Sequence, residues 1–297
     1  MGPDSALYVV AGSATGAVLL AWLYFRAFRV THPPIGVFNL RDVALMTGAI
    51  VLVPYLYLAV PPWLEATLLG LGLLTILQVT LEPILPGPWM PWAVTLVLLG
   101  ADVGTALVFG APSPLFQLAN NTVLAIAVIG AANLWVQSGM KARDATVLGA
   151  ALVVYDFVAT SLLSLMNDLI NRLAGLPFAP LITWASDGGQ WLGIGLGDLL
   201  LAAVFPLVMR KAFGRTAGLL ALGLGLATLM AMLALLDLRV VRVTLPAMVA
   251  LGRSWWRSIC SGRVGWGPNA RPGSICRRNH TEATSPTTFP IPSKLLI

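Results

Sequence analysis

A chain of 297 residues with 58% hydrophobic and 10% charged side chains lacks the polar surface of a soluble domain, which carries about 25% charge. Its mean hydropathy of +0.85 points to lipid as the solvent, which excludes a water-soluble enzyme, a disordered protein and a small disulfide scaffold. The formal net charge of +6 belongs to the C-terminal tail: residues 253–297 hold seven basic residues and one acid, Glu282, leaving eleven basic and eleven acidic groups in the first 252. That charge marks no nucleic-acid surface. Cys260 and Cys276 both lie in the tail and set no disulfide framework.

Runs of about 20 apolar residues, the length that crosses a bilayer, lie at 6–25, 42–60, 64–82, 91–110, 116–136, 146–165, 190–209 and 216–236, and a shorter ninth begins near 240. They are too long to be barrel strands. Short connections rich in Pro and Gly, such as Pro61-Pro62 and Pro86-Gly87-Pro88, join them. The expectation is an all-α polytopic membrane protein of nine transmembrane helices, with one membrane domain over 1–252 and a basic, disordered tail over 253–297.

The first run is preceded by Asp4 and by no basic group, so it does not read as a cleavable signal peptide, which needs a basic leader. Arg26, Arg29 and Arg41 follow it, and the positive-inside rule places that loop in the cytoplasm. Alternation then puts Lys141 and Arg143, the trio Arg210, Lys211 and Arg215, and the tail inside as well. Asp168, Arg172 and Asp187 fall outside. Only Arg239 and Arg242, beside Asp237, sit on the unfavoured side. The N-terminus is predicted outside and the C-terminus cytoplasmic, in the cell membrane if the source is a prokaryote.

Ionisable groups deep in a span cost about 2.5–3.5 kcal/mol each and are functional suspects. Three stand out: Asp102, Asp156 and Asp198. Asp156 lies about ten residues from the cytoplasmic start of span six, and Asp198 about eleven from the cytoplasmic end of span seven. At 1.5 Å per residue these are depths of roughly 15 and 16 Å. Two carboxylates at one level in a low-dielectric site cannot both ionise easily, so the pair shares a proton. One member can then take a proton from water while the other donates to a carbonyl oxygen. Elimination agrees, because His32 and His280, the chain's two histidines, lie outside the spans. Zinc proteolysis through H-E-x-x-H and Ser/His proteolysis both need a histidine. No metal or organic cofactor is implied.

Span six reads Val153-Val154-Tyr155-Asp156-Phe157, span seven Gly193-Ile194-Gly195-Leu196-Gly197-Asp198, and Leu245-Pro246-Ala247-Met248 opens the last. This resembles the presenilin and signal peptide peptidase family of intramembrane aspartyl proteases, which is similar in nine spans, Y-D in the sixth, G-x-G-D in the seventh and P-A-L at the ninth. The order, the span numbers and the 42-residue separation of the two aspartates all agree. The resemblance covers roughly residues 1–252. It implies that Asp156 and Asp198 are the catalytic pair and that Tyr155 flanks it. Gly193, Gly195, Leu196 and Gly197 would let backbone and substrate approach, with local unwinding that is tolerated where it lines a cavity. Pro246, Ala247 and Met248 would shape the site. The outside N-terminus is similar to the signal peptide peptidase branch, whose substrates have a cytoplasmic N-terminus: signal-peptide remnants and type II single-span proteins. Implied partners are such transmembrane peptides and the lipid bilayer, with no nucleic acid; a homo-oligomer is left open.

The chain departs from the family at Met248, where the family has Leu, and at Arg253, which only the five residues Met248 to Gly252 separate from the motif. Either the ninth helix is short, with Trp255, Trp256 and the arginines at the interface, or the tail is foreign to the fold. Several polar groups have structural readings. Asp102, between Gly100 and Gly104, reads as an aspartate hydrogen-bonded across a close G-x-x-x-G contact. Gly12 and Gly16 read as a similar packing pair, Asn120, Asn121 and Asn133 as interhelical hydrogen bonders, and Pro206 as a bend. Competing functions are a prepilin-peptidase-like G-x-G-D protease, though Asp198 is followed by Leu199-Leu200-Leu201 with no lysine, a proton-coupled transporter or ion pathway through the three aspartates, and a scaffold that binds single-span proteins without cutting them.

Overall fold

The computed structural model describes residues 3–30, 40–110, 113–159, 169, 172–173, 175–185 and 191–237. The expected ninth span, Pro246-Ala247-Met248 and the tail lie outside the described residues. Helices α1 (Pro3–Ala27), α2 (Leu40–Ala59), α3 (Pro62–Leu81), α4 (Met90–Phe109), α5 (Pro114–Gln137) and α6 (Ala142–Phe157) come first, followed by strands β1 (Leu181–Ala185) and β2 (Trp191–Gly195), then α7 (Leu196–Phe213) and α8 (Arg215–Asp237). Helices α1 to α5 and α8 are long and apolar enough to cross a membrane. The other two are shorter, at 16 residues for α6 and 18 for α7.

The helix starts follow from local chemistry. Proline occupies the first turn of α3, α4 and α5, where its missing N–H is no loss and its φ is already helical. Ser113 caps α5 by accepting from the Leu115 N–H at 3.2 Å. Helix α5 is the central post, packed against α1, α3, α4, α7 and β1. On the periphery Val97, Leu107 and Val108 of α4 are at least 70% exposed, as a lipid-facing surface would require.

Polar ties set the relative levels of the helices. Tyr24 donates its hydroxyl to the Thr80 carbonyl at 2.9 Å, Asn133 donates to Ala21 O at 3.1 Å, and Val30 N–H donates to Gln137 Oε1 at 2.9 Å. Lys211 reaches Val136 O at 2.6 Å, and the Arg210 guanidinium lies 4.7 Å from the Trp22 ring centroid. The ends of α1, α3, α5 and α7 therefore meet at one end of the bundle. The start of α3 lies at the other, where buried Glu65 pairs with Arg172 at 2.7 Å. Arg172 also donates to Leu58 O at 3.1 Å and to Val60 O, so it clasps the α2–α3 turn.

Several expectations need correction. The seventh helix starts at Leu196, not near 190, because residues 191–195 form a strand antiparallel to β1, in the register Leu181↔Gly195 to Ala185↔Trp191. Gly195 is the extended N-cap of α7, at φ −66° and ψ 144°. Among the described residues the glycine pairs of α1 and α4 make no close contact: a β-carbon on Gly12, Gly16, Gly100 or Gly104 would meet none of them within 4 Å. Asn133 does bridge helices, but Asn120 and Asn121 bond to β1.

Candidate active site

Asp156 is the last residue but one of α6, and Asp198 is the third residue of α7. The two helices pack against each other. Asp156 lies 14 residues from the start of α6 and Asp198 15 from the end of α7, so at 1.5 Å per residue both lie about 21–23 Å from the end of the bundle where α6 begins and α7 ends. The level matching expected from the spans persists, although the span limits themselves shift.

Both aspartates line a cavity of about 520 Å³, and Asp156 acts electrostatically on Asp198. Tyr155, Gly193, Gly195, Leu196 and Gly197 line the same space. Both aspartates are residues of intermediate burial on the lining of the cavity. A β-carbon on Gly195 would sit 3.5 Å from Asp198 Oδ2, which places that carboxylate back over the end of β2. The Tyr155 hydroxyl is buried and has no hydrogen-bond partner among the described residues. Apolar groups form the remaining wall, with Val53, Pro54 and Tyr57 from α2, Trp135 from α5 and Met232 from α8. Among the described residues the substantial helix contact of α2 is with α6.

Antiparallel pairing fixes which backbone groups face outward from the hairpin. Thr183 uses both its N–H and its carbonyl on Asn121, at 3.0 and 2.9 Å, so both point away from β2. Its register partner Gly193 must then also point its N–H and carbonyl outward, and Gly195 two residues on points its N–H the same way, while its carbonyl, as the N-cap of α7, serves the first turn of the helix. Pairing of Leu196 N–H with Pro180 O at 3.0 Å fits that alternation. A β-carbon on Gly193 would come within 2.7 Å of Thr183 Cγ2, so a larger residue there would push the strands apart. The lateral edge of β2 that carries these groups belongs to residues lining the cavity.

Asp102 is elsewhere. It is fully buried and accepts the Phe178 N–H at 2.8 Å, and it does not line the cavity with the other two aspartates. Phe178 has a left-handed backbone, φ 65°. Its ring lies over Gly70, where a β-carbon would be 2.9 Å from Cε2. The aspartate therefore holds a strained turn ahead of β1, rather than a contact between glycine faces.

Reading of the sequence missed three features of the site's surroundings. One is the hairpin. Another is the use of Gln117, whose Oε1 accepts the Ala185 N–H at 3.0 Å. The third is the Glu65–Arg172 ion pair. Comparison with protein-family models gives no match, and comparison with curated proteins gives none.

Proposed function

We propose that the chain is an intramembrane aspartyl endopeptidase, similar to the presenilin and signal peptide peptidase family, with Asp156 and Asp198 as its dyad. The observation that carries this reading is that both aspartates line one cavity beside the extended Gly193–Gly195 edge. In this reading the chain crosses the membrane nine times, N-terminus outside and C-terminus in the cytoplasm, and its substrates are signal-peptide remnants or single-span proteins with a cytoplasmic N-terminus. The convergence of Arg26, Arg210 and Lys211 toward one end of the bundle supports that orientation through the positive-inside rule.

A transmembrane peptide enters beside α2, on the side away from its packing against α6, and unwinds. Its extended backbone lies against the outward N–H and carbonyl of Gly193 and the N–H of Gly195, groups that need partners in an apolar medium. The ionised carboxyl of the dyad takes a proton from a water, whose oxygen attacks the scissile carbonyl carbon. The protonated carboxyl donates to the carbonyl oxygen. The tetrahedral intermediate then collapses: the C–N bond breaks, the departing nitrogen takes a proton from the dyad, and a new carboxyl and a new amino terminus leave. The shared proton belongs to the pair, so base and acid are roles of the dyad rather than of one residue. Tyr155, with its unpartnered hydroxyl on the cavity wall, is placed to donate to a substrate carbonyl.

A proton pathway through all three aspartates is less well supported, because Asp102 is buried against the Phe178 amide and away from the cavity. The test is cleavage of a synthetic transmembrane substrate by protein reconstituted in liposomes. Asp156→Asn and Asp198→Asn should each reduce cleavage by about 10⁴-fold or more while the helical circular dichroism stays unchanged. Failure of the intact wild type to cut any substrate in several lipids sinks the proposal. Cation flux that depends on Asp102 would instead establish transport.

A further inference from the structure

The hairpin has two outer edges, and the fold treats them differently. In an apolar surrounding each unpaired backbone group costs several kcal/mol, so an open strand edge needs partners. The outer edge of β1 finds them on one face of α5. Gln117 accepts from Ala185 N–H at 3.0 Å, Asn121 exchanges two hydrogen bonds with Thr183 at 2.9 and 3.0 Å, and Asn120 Nδ2 donates to both Ala179 O and Leu181 O at 3.1 Å. Residues 117, 120 and 121 share a helix face through their i, i+3 and i+4 spacing. Four residues of helix rise about 6 Å, and two residues of strand about 6.8 Å, so Gln117 and Asn121 keep step with Ala185 and Thr183. Asp102 holds the chain just upstream through Phe178 N–H at 2.8 Å.

We propose that Gln117, Asn120 and Asn121 act as a side-chain substitute for a third strand and are positioning residues for the protease. They saturate β1, fix the height of the hairpin against α5, and so fix where β2 and Asp198 stand relative to Asp156. This rests on the proteolytic reading. A substrate strand is left the edge of β2 alone, in one register. Loosening the α5 anchor lets the hairpin shift along the bundle axis, so the scissile bond is no longer unique.

The experiment compares wild type with Asn121→Leu and Asn121→Asp in liposomes. It reads hydrogen exchange at the Thr183 and Ala185 amides, kcat and KM on a synthetic transmembrane substrate, and the masses of the products. Asn121→Leu should speed exchange at both amides and lower kcat by about 100-fold, the scale of a 1 Å misplacement. It should also add products cut at neighbouring bonds, an effect that plain destabilisation does not produce. Asn121→Asp keeps the acceptor for Thr183 N–H and should recover most of the wild-type cleavage pattern. If Asn121→Leu does not fold, Gln117→Leu, which loses the bond to Ala185 N–H, takes its place with the same readouts at smaller amplitude. Wild-type exchange, or a wild-type product pattern with undiminished kcat, overturns the positioning role. A wild type that cuts nothing overturns the proteolytic reading instead, and the exchange measurement still decides whether α5 anchors the strand.

Discussion

Asp102 and Asp198 carry the same side chain beside similar glycines, yet their surroundings differ in kind. Asp102 is fully buried and spends one oxygen on a backbone N–H of a strained turn. Asp198 stands at the start of a helix that begins within the bundle, half-buried, facing a cavity it shares with Asp156. Glu65 belongs with Asp102, since it is buried and tied to Arg172. Asp102 and Glu65 are each held by a named protein group, whereas Asp156 and Asp198 line a common cavity.

The largest expected effect tests that division directly. Asp156→Asn and Asp198→Asn should abolish cleavage and leave thermal stability in detergent unchanged or raised, because groups kept for reactivity are seldom optimal for stability. A marked fall in melting temperature for either variant would move that aspartate into the structural group.

The next effect concerns the Glu65–Arg172 pair. Arg172→Ala strands a carboxylate with no exposed surface at the start of α3 and frees the carbonyls of Leu58 and Val60. Removing one partner of a buried pair costs several kcal/mol; with the Arg172 side chain 29% exposed, about 3 kcal/mol is expected. Glu65→Gln/Arg172→Met, which removes both charges, should recover much of that loss. Thermal unfolding followed by tryptophan fluorescence checks both. If the single and double variants are equally unstable, the ion pair is not what holds the α2–α3 turn.

The contrast between these carboxylates also marks what a sequence can reveal. Six helices, α1 to α5 and α8, were legible to within a few residues because each rests on a long apolar run, with Pro62, Pro91 and Pro114 marking starts, whereas α6 ends at Phe157 rather than 165 and α7 starts at Leu196 rather than 190. The aspartate pair was legible because helical rise converts residue counts into depth. The hairpin was not, because Trp191-Leu192-Gly193-Ile194-Gly195 continues the apolar run of the helix that follows. The one local sign was the alternation Gly193, Gly195, Gly197, which favours extended backbone. Asn120 and Asn121 announced a polar partner without naming it, as the strand they hold is about 60 residues away. Phe178, the partner of Asp102, is 76 residues distant. Such pairings are set by the packing of the whole bundle, not by any local pattern. Arg172 could be read only as a loop charge until its distance to Glu65 was known.

The smallest expected effect is at Asp102 itself, and it is the sharpest test of the division. Asp102→Asn keeps an oxygen that can accept from Phe178 N–H, so stability should change by less than about 1 kcal/mol and cleavage should persist at a rate near that of wild type. Asp102→Leu keeps the branching at Cγ, although it is larger, and leaves the Phe178 amide without the Asp102 acceptor, at a cost of about 1–3 kcal/mol. The left-handed turn before β1 should then relax, and exchange at the Phe178 amide should quicken. Its effect on cleavage must pass through the hairpin, so kcat should fall only as far as the hairpin loosens. If Asp102→Asn alone abolished cleavage while the fold and the Phe178 amide protection were retained, Asp102 would have to be moved into the reactive group, and the separation of anchored from cavity-facing carboxylates would fail at its best-defined member.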